Sequence, residues 1–77
     1  MSQTLNDDIA RAIRERLPDA EVTAAVDGNR AEIVVVSREF EGMTRVRKQQ
    51  TVYGCIDHLI ADGTLHAVTI RALTPDG

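Results

Sequence analysis

Few side chains in this chain can do chemistry: it has two histidines and one cysteine. His66 stands in Leu65-His66-Ala67-Val68, just after the turn signal Asp62-Gly63. A histidine opening a strand at a helix–loop–strand junction is placed like a ligand, and neutral imidazole is the commonest protein metal ligand. The competing reading is a strand-edge histidine satisfied by nearby backbone, since histidine is often of intermediate burial. Cys55 and His58 lie three residues apart on a predicted helix, hence side by side. They share its polar side with Arg47 and Thr51, facing away from the core, and nearby cations would lower the thiol pKa. They are candidate extra ligands, but two donors are too few for a metal site, and ordinary surface residues are the simpler reading. No base–nucleophile pair is evident, so a thiol or hydrolytic enzyme is a poor reading.

A second group is cationic. Arg45, Arg47 and Lys48 fall in the first turn or so of the predicted helix, where the dipole is positive and each cation costs a few tenths of a kcal/mol. Residues that oppose local preference point to function. With Arg38 they form a candidate partner, anion or nucleic-acid surface, since cations beside free helix N–H groups attract anions. A solvated basic face, partly balanced by Glu39 and Glu41, explains the same pattern.

These side chains must be positioned by one small domain, residues 1–77. A chain this short buries only about 60% of its unfolded surface. Its aromatics are Tyr53 and Phe40, so Val, Ile, Leu and Ala must build the core. A binding surface suits it better than an enclosing pocket. The net charge of −3 argues against a dedicated nucleic-acid binder, which usually carries a basic excess. A lone cysteine excludes an internal disulfide and fits a reduced compartment. Residues 1–8 lack the basic and apolar runs of a signal peptide. No stretch reaches the roughly 18 apolar residues of a membrane span. The expected address is cytoplasmic, and a weak homodimer is compatible with the sequence.

Hydrophobic spacing supplies the elements. Leu5, Ile9, Ala12, Ile13 and Leu17 recur at helical intervals over 5–17. Asn6 or Thr4 is suited to cap that helix, and Asp7 and Asp8 to its positive end; Pro18-Asp19 stops it. Residues 21–36 read as an antiparallel hairpin around Asp27-Gly28-Asn29-Arg30. Val22, Ala24 and Val26 share one face, and Ile33-Val34-Val35-Val36 is a central-strand run. Residues 37–43 are irregular, with Phe40 as a core anchor and Gly42 in a tight turn. A second helix over 44–61 puts Val46, Val52, Tyr53, Ile56, Leu59 and Ile60 on one broad face. Gly54 within it suggests a close approach to a neighbouring backbone, and Gly63 suits a left-handed cap. Residues 65–72 form the last strand, with His66, Val68, Ile70 and Ala72 pointing one way. The outcome is an α/β (α+β) fold: a three-stranded mixed sheet covered by helices on one face, in the order α-β-β-(α)-α-β, with a parallel crossover into the last strand.

The ordered run Phe40-Glu41-Gly42-Met43, Arg45-Val46-Arg47-Lys48-Gln49-Gln50, Val52-Tyr53, Asp62-Gly63, Leu65-His66-Ala67-Val68 and Leu73-Thr74-Pro75 resembles the BolA-like family, closest to its short bacterial forms. The N-terminal helix and Val34-Val35-Val36-Ser37 match as well, so the resemblance covers nearly the whole chain. It implies a fold similar to a class II KH domain and partnership with monothiol glutaredoxins. Such pairs hold a bridging [2Fe–2S] cluster with a glutaredoxin cysteine, a glutathione thiolate and the histidine that here is His66. Imidazole ligation of such a cluster has precedent in Rieske centres. The imidazole must be neutral to bind, so binding should weaken toward acid. Many members carry a second His or Cys in the first hairpin loop. Here that loop is Asp27-Gly28-Asn29-Arg30, with neither, and a protonated guanidinium cannot ligate iron.

The leading expectation is a non-enzymatic adapter for iron–sulfur trafficking or iron and redox stress regulation. The alternative is a nucleic-acid-binding transcriptional regulator, since the family is linked to transcription control, stress response and cell morphology. KH recognition uses a G-x-x-G loop, and Gly42-Met43-Thr44-Arg45 lacks the second glycine. DNA binding would then rest on Arg38, Arg45, Arg47 and Lys48 and be strongly salt-dependent.

Overall fold

The computed structural model describes residues 2–76, with side chains described from residue 5 onward. Two helices, α1 (Ser2–Arg16) and α2 (Arg45–Ala61), accompany three strands, β1 (Glu21–Asp27), β2 (Arg30–Val36) and β3 (Ala67–Leu73), with a one-turn 3-10 helix at Arg38–Phe40. The sheet order is β1-β2-β3. The first pair is antiparallel and the second parallel, so the sheet is mixed as expected.

Strand register explains why one face is buried. Val22 pairs with Val35, Ala24 with Ile33 and Val26 with Ala31. Across the parallel pair, Ala31 meets Val68, Ile33 meets Ile70 and Val35 meets Ala72. These rows form the apolar face, onto which Ile9, Ile13 and Leu17 of the α1 segment and Val52, Ile56 and Leu59 of α2 pack. The alternate rows carry Glu21, Thr23, Ala25, Asp27, Arg30, Glu32, Ala67, Thr69 and Arg71, all exposed. Phe40 is fully buried and anchors the segment between β2 and α2.

Several local expectations change. The first helix begins at Ser2, not near residue 5, because no breaker precedes the periodic stretch. Asn6 therefore lies inside α1, its Oδ1 shielded and without a hydrogen-bond partner, and no acidic residue falls in the first turn. The side chain of Thr4, the other expected cap, lies outside the described residues. In α2, Val46 and Tyr53 are 64% and 41% exposed. At ~100° per residue both sit about a quarter turn or more from the Val52–Ile56–Leu59 stripe, beyond the reach of a thin core. Gly54 lies opposite that stripe; a Cβ there would meet no atom within 4 Å, so it marks no close approach. Cys55, on the stripe's other border, is half-buried against the core and does not face away from it.

The last strand starts at Ala67 rather than 65. Residues 65 and 66 are not yet pleated, so alternation does not reach them. Leu65 is 1% exposed, whereas His66 is exposed. No helix among the described residues is long and apolar enough to cross a membrane.

Candidate functional site

Two local devices and one long-range one present His66. Thr44 caps the start of α2, its Oγ1 accepting from the Arg47 N–H at 3.1 Å. At the other end Gly63 takes φ +84, the left-handed geometry that glycine adopts without Cβ strain. The Asp62 carboxylate accepts from the Thr64 N–H at 2.9 Å. Hydrogen bonding to Thr64, from its side chain first and then from this N–H, holds the Asp62 carboxyl below the usual value, with a smaller contribution from nearby His58. Leu65 then drops into the core while its N–H donates to the Leu59 carbonyl at 3.1 Å. The chain reaches His66 already anchored.

The third device is long-range. The Asn29 carbonyl accepts from the N–H of His66 at 2.7 Å and from that of Ala67 at 3.3 Å. Asn29 belongs to the two-residue turn between β1 and β2, where Asp27 pairs with Arg30. Gly28 supplies the positive φ of +63 at the first turn position, as in a II′-type turn. Arg30 in turn pairs with Ala67. The hairpin loop and His66 thus meet at one end of the sheet. On the side toward Gly63, the His66 Nε2 lies 4.0 Å from where a Cβ on that glycine would stand.

Among the described residues no group of three or more His, Cys, Asp and Glu side chains is placed to hold a metal ion. A [2Fe–2S] cluster needs four ligands. His66 is an exposed imidazole on a fixed backbone and fits the part of one ligand.

Cys55 and His58 border different grooves. Cys55 lines a cleft between the helices with Ala12, Glu15, Arg16, Gln50, Thr51 and Gly54. Its Sγ donates to the Thr51 carbonyl at 3.3 Å. Burial pushes its thiol up, only partly offset by Arg16, against the lowering expected from nearby cations. His58 is exposed and borders a different groove with Asp8, Arg11 and Glu15.

The four expected cations divide. Arg45 and Lys48 flank a groove between the start of α2 and β3. Arg38 borders another, with Asp19, Glu21, Val36 and Pro75, and its backbone N–H donates to Asp19 Oδ2 at 2.9 Å. Arg47 lines neither groove. The cation that joins Arg45 and Lys48 is Arg71, which sequence reasoning did not single out. Its place opposite Ile70 and Ala72 in the strand alternation was the available signal.

Residues 8–77 match the family described as BolA-like protein. The chain is 43% identical over 70 residues to the acid stress protein IbaG of Escherichia coli (strain K12), covering 91% of this chain and 83% of that protein. A bolA protein homologue from Coxiella burnetii superposes with a TM-score of 0.74 at 31% identity, covering 91% and 90% of the two chains. BolA1 from Arabidopsis thaliana does so at 0.81 with 26% identity and 92% coverage of both. A family match over 70 residues, a bacterial relative at 43% identity and the shared α-β-β-α-β sheet converge: the chain belongs to the BolA-like family.

Proposed function

We propose that this protein is an adapter that partners a monothiol glutaredoxin, with His66 as the ligand it contributes to a [2Fe–2S] cluster shared with the glutaredoxin cysteine and glutathione. The observation that carries the reading is the presentation of His66. Its ring is exposed while its backbone is tied to Asn29 and to the buried Leu65, and no metal-holding group of side chains exists among the described residues. A lone imidazole set out from a rigid sheet end is suited to completing another molecule's site and not to building its own. Bound there, the cluster would supply electron transfer or a transferable iron–sulfur unit, and imidazole ligation raises its potential relative to all-thiolate ligation.

The chain's own contribution is orientation. The Asn29–His66 bond and the Gly63 turn fix the backbone from which the imidazole emerges, so little backbone ordering entropy is lost when the partner docks. A relative named for acid stress is in keeping with a role in a stress response. Nucleic-acid binding is the weaker reading: Arg38 sits apart from Arg45 and Lys48, and the chain is net acidic.

The test is a titration of the protein into cluster-loaded monothiol glutaredoxin, followed by visible absorption and circular dichroism. A new cluster spectrum with the wild type, lost with His66→Ala, supports the adapter. A spectrum unchanged by the wild type overturns it.

A further inference from the structure

The outer edge of β3 runs beside the first turns of α2. The Leu73 carbonyl accepts from the Ser37 N–H at 3.0 Å on the β2 side, whereas the Ile70 carbonyl accepts from Gln49 Nε2 at 2.8 Å on the other. Successive residues of a strand send their N–H and C=O groups to opposite sides. Val68, Ile70 and Ala72 therefore turn theirs to the outer edge, where Gln49 satisfies one acceptor and, among the described residues, no further strand pairs. This edge borders a groove of ≈ 430 Å³ lined by Arg45, Lys48, Gln49 and the strand from Ile70 to Leu73.

The charges around the groove are of one sign. Arg71 projects from the solvent-facing side of the sheet, while Arg45 and Lys48 belong to the helix side. Cations thus flank the edge on both sides, and no acidic residue lines it. Among the described residues the ion pair formed is Arg16–Glu39, away from this groove, and none of the three cations enters one. In a chain of net charge −3 this is a local reversal.

We propose that this edge receives an extended acidic segment of a partner protein, which adds as a fourth strand beside β3. Strand addition supplies main-chain hydrogen bonds, and alternate side chains of the incoming strand supply selectivity. Carboxylates on both its faces would meet Arg71 on one flank and Arg45 and Lys48 on the other. Cations at an edge also serve to repel strand pairing, and that opposite role is an outcome of the test. His66 does not line this groove, so the groove is separate from the proposed cluster ligand.

The test is an NMR titration of the 15N-labelled full chain with a synthetic peptide of Glu-Glu-Val-Val repeats, which puts carboxylates on both faces of a strand, at low and at physiological salt. No cluster or glutaredoxin is present, so the outcome is independent of the His66 reading. Three probes accompany it: a Lys-for-Glu peptide, an equally acidic peptide interrupted by prolines, and a single-stranded oligonucleotide. Saturable shifts and slowed hydrogen exchange at the Val68, Ile70 and Ala72 amides are expected with the acidic peptide alone. Lys48→Gln combined with Arg71→Gln is expected to weaken binding roughly tenfold, with unchanged Ile33 and Val35 amide signals reporting an intact core. Absence of binding, equal binding of the proline-interrupted peptide, or preferential binding of the oligonucleotide would overturn the proposal. These results would assign the cations to edge protection, to non-specific attraction or to nucleic acid, respectively.

Discussion

The backbone N–H of His66 donates to the carbonyl of Asn29 across 2.7 Å. This bond ties the start of β3 to the turn between β1 and β2, 37 positions earlier in the chain. The β1–β2 turn thus lies against His66, and it offers Asp27, Gly28, Asn29 and Arg30. Its contribution here is positional: a main-chain acceptor that fixes the histidine's backbone.

Straining the turn should therefore be felt at His66. Gly28 holds φ +63 and an added Cβ would meet no atom within 4 Å, so Gly28→Ala suffers backbone strain and no clash. A loss of about 1–2 kcal/mol is expected, read as a lower Tm. A change in the His66 amide chemical shift should accompany it, larger than any change at the buried Ile56 of α2.

The two helix-associated glycines should respond with opposite sign. Gly54 is helical with nothing near an added Cβ, so Gly54→Ala is expected to stabilise by about 0.5–1 kcal/mol. Gly63 holds φ +84, so Gly63→Ala is expected to destabilise by about 1–2 kcal/mol. Urea unfolding of the two variants beside the wild type checks both.

Asp19 fastens the 3-10 turn. Its Oδ1 accepts from the buried Ser37 hydroxyl at 2.7 Å and its Oδ2 from the Arg38 N–H at 2.9 Å. These bonds, the backbone one first, hold its carboxyl below the ordinary value of 3.8. A carboxyl lowered on folding stabilises fully above its unfolded pKa and loses that contribution as pH falls through the folded value. Thermal melts should show Asp19→Asn less stable than wild type at neutral pH, the gap closing only below about pH 4. Ser37→Ala, which also loses the Glu39 N–H bond at 3.1 Å, should cost about 1 kcal/mol.

The Cys55 thiol should be sluggish. Burial raises its pKa, and the thiolate is the reactive form. Alkylation by iodoacetamide at neutral pH is expected to run slower than for an unstructured cysteine peptide and to reach the peptide's rate in denaturant.

What could be read from the residues differs by kind. Periodicities of about 3.6 and 2 placed both helices and all three strands, because Ile9, Ile13, Leu17, Val52 and Ile56 must share a core with Ile33, Val35 and Ile70. Gly63 was legible for a similar reason, since local turn chemistry sets it. The start of β3 was not, because Leu65 is drawn into the core by its bond to Leu59 and breaks the alternation. Val46 and Tyr53 read as core residues by angle alone, but the depth of a core belongs to the packed molecule. The division of the cations, and Arg71's place beside Arg45 and Lys48, depend on α2 lying along β3, a long-range relation that spacing does not encode.

The central claim is that His66 supplies a nitrogen ligand to a cluster shared with a glutaredoxin. The most direct measurement is nitrogen hyperfine spectroscopy of the reduced [2Fe–2S] complex, formed with glutathione and with this chain carrying 15N-labelled histidine. The expected result is a strong 15N coupling that disappears in His66→Ala and persists in His58→Ala. A complex that forms with no such coupling, or with a coupling that survives His66→Ala, would contradict the claim.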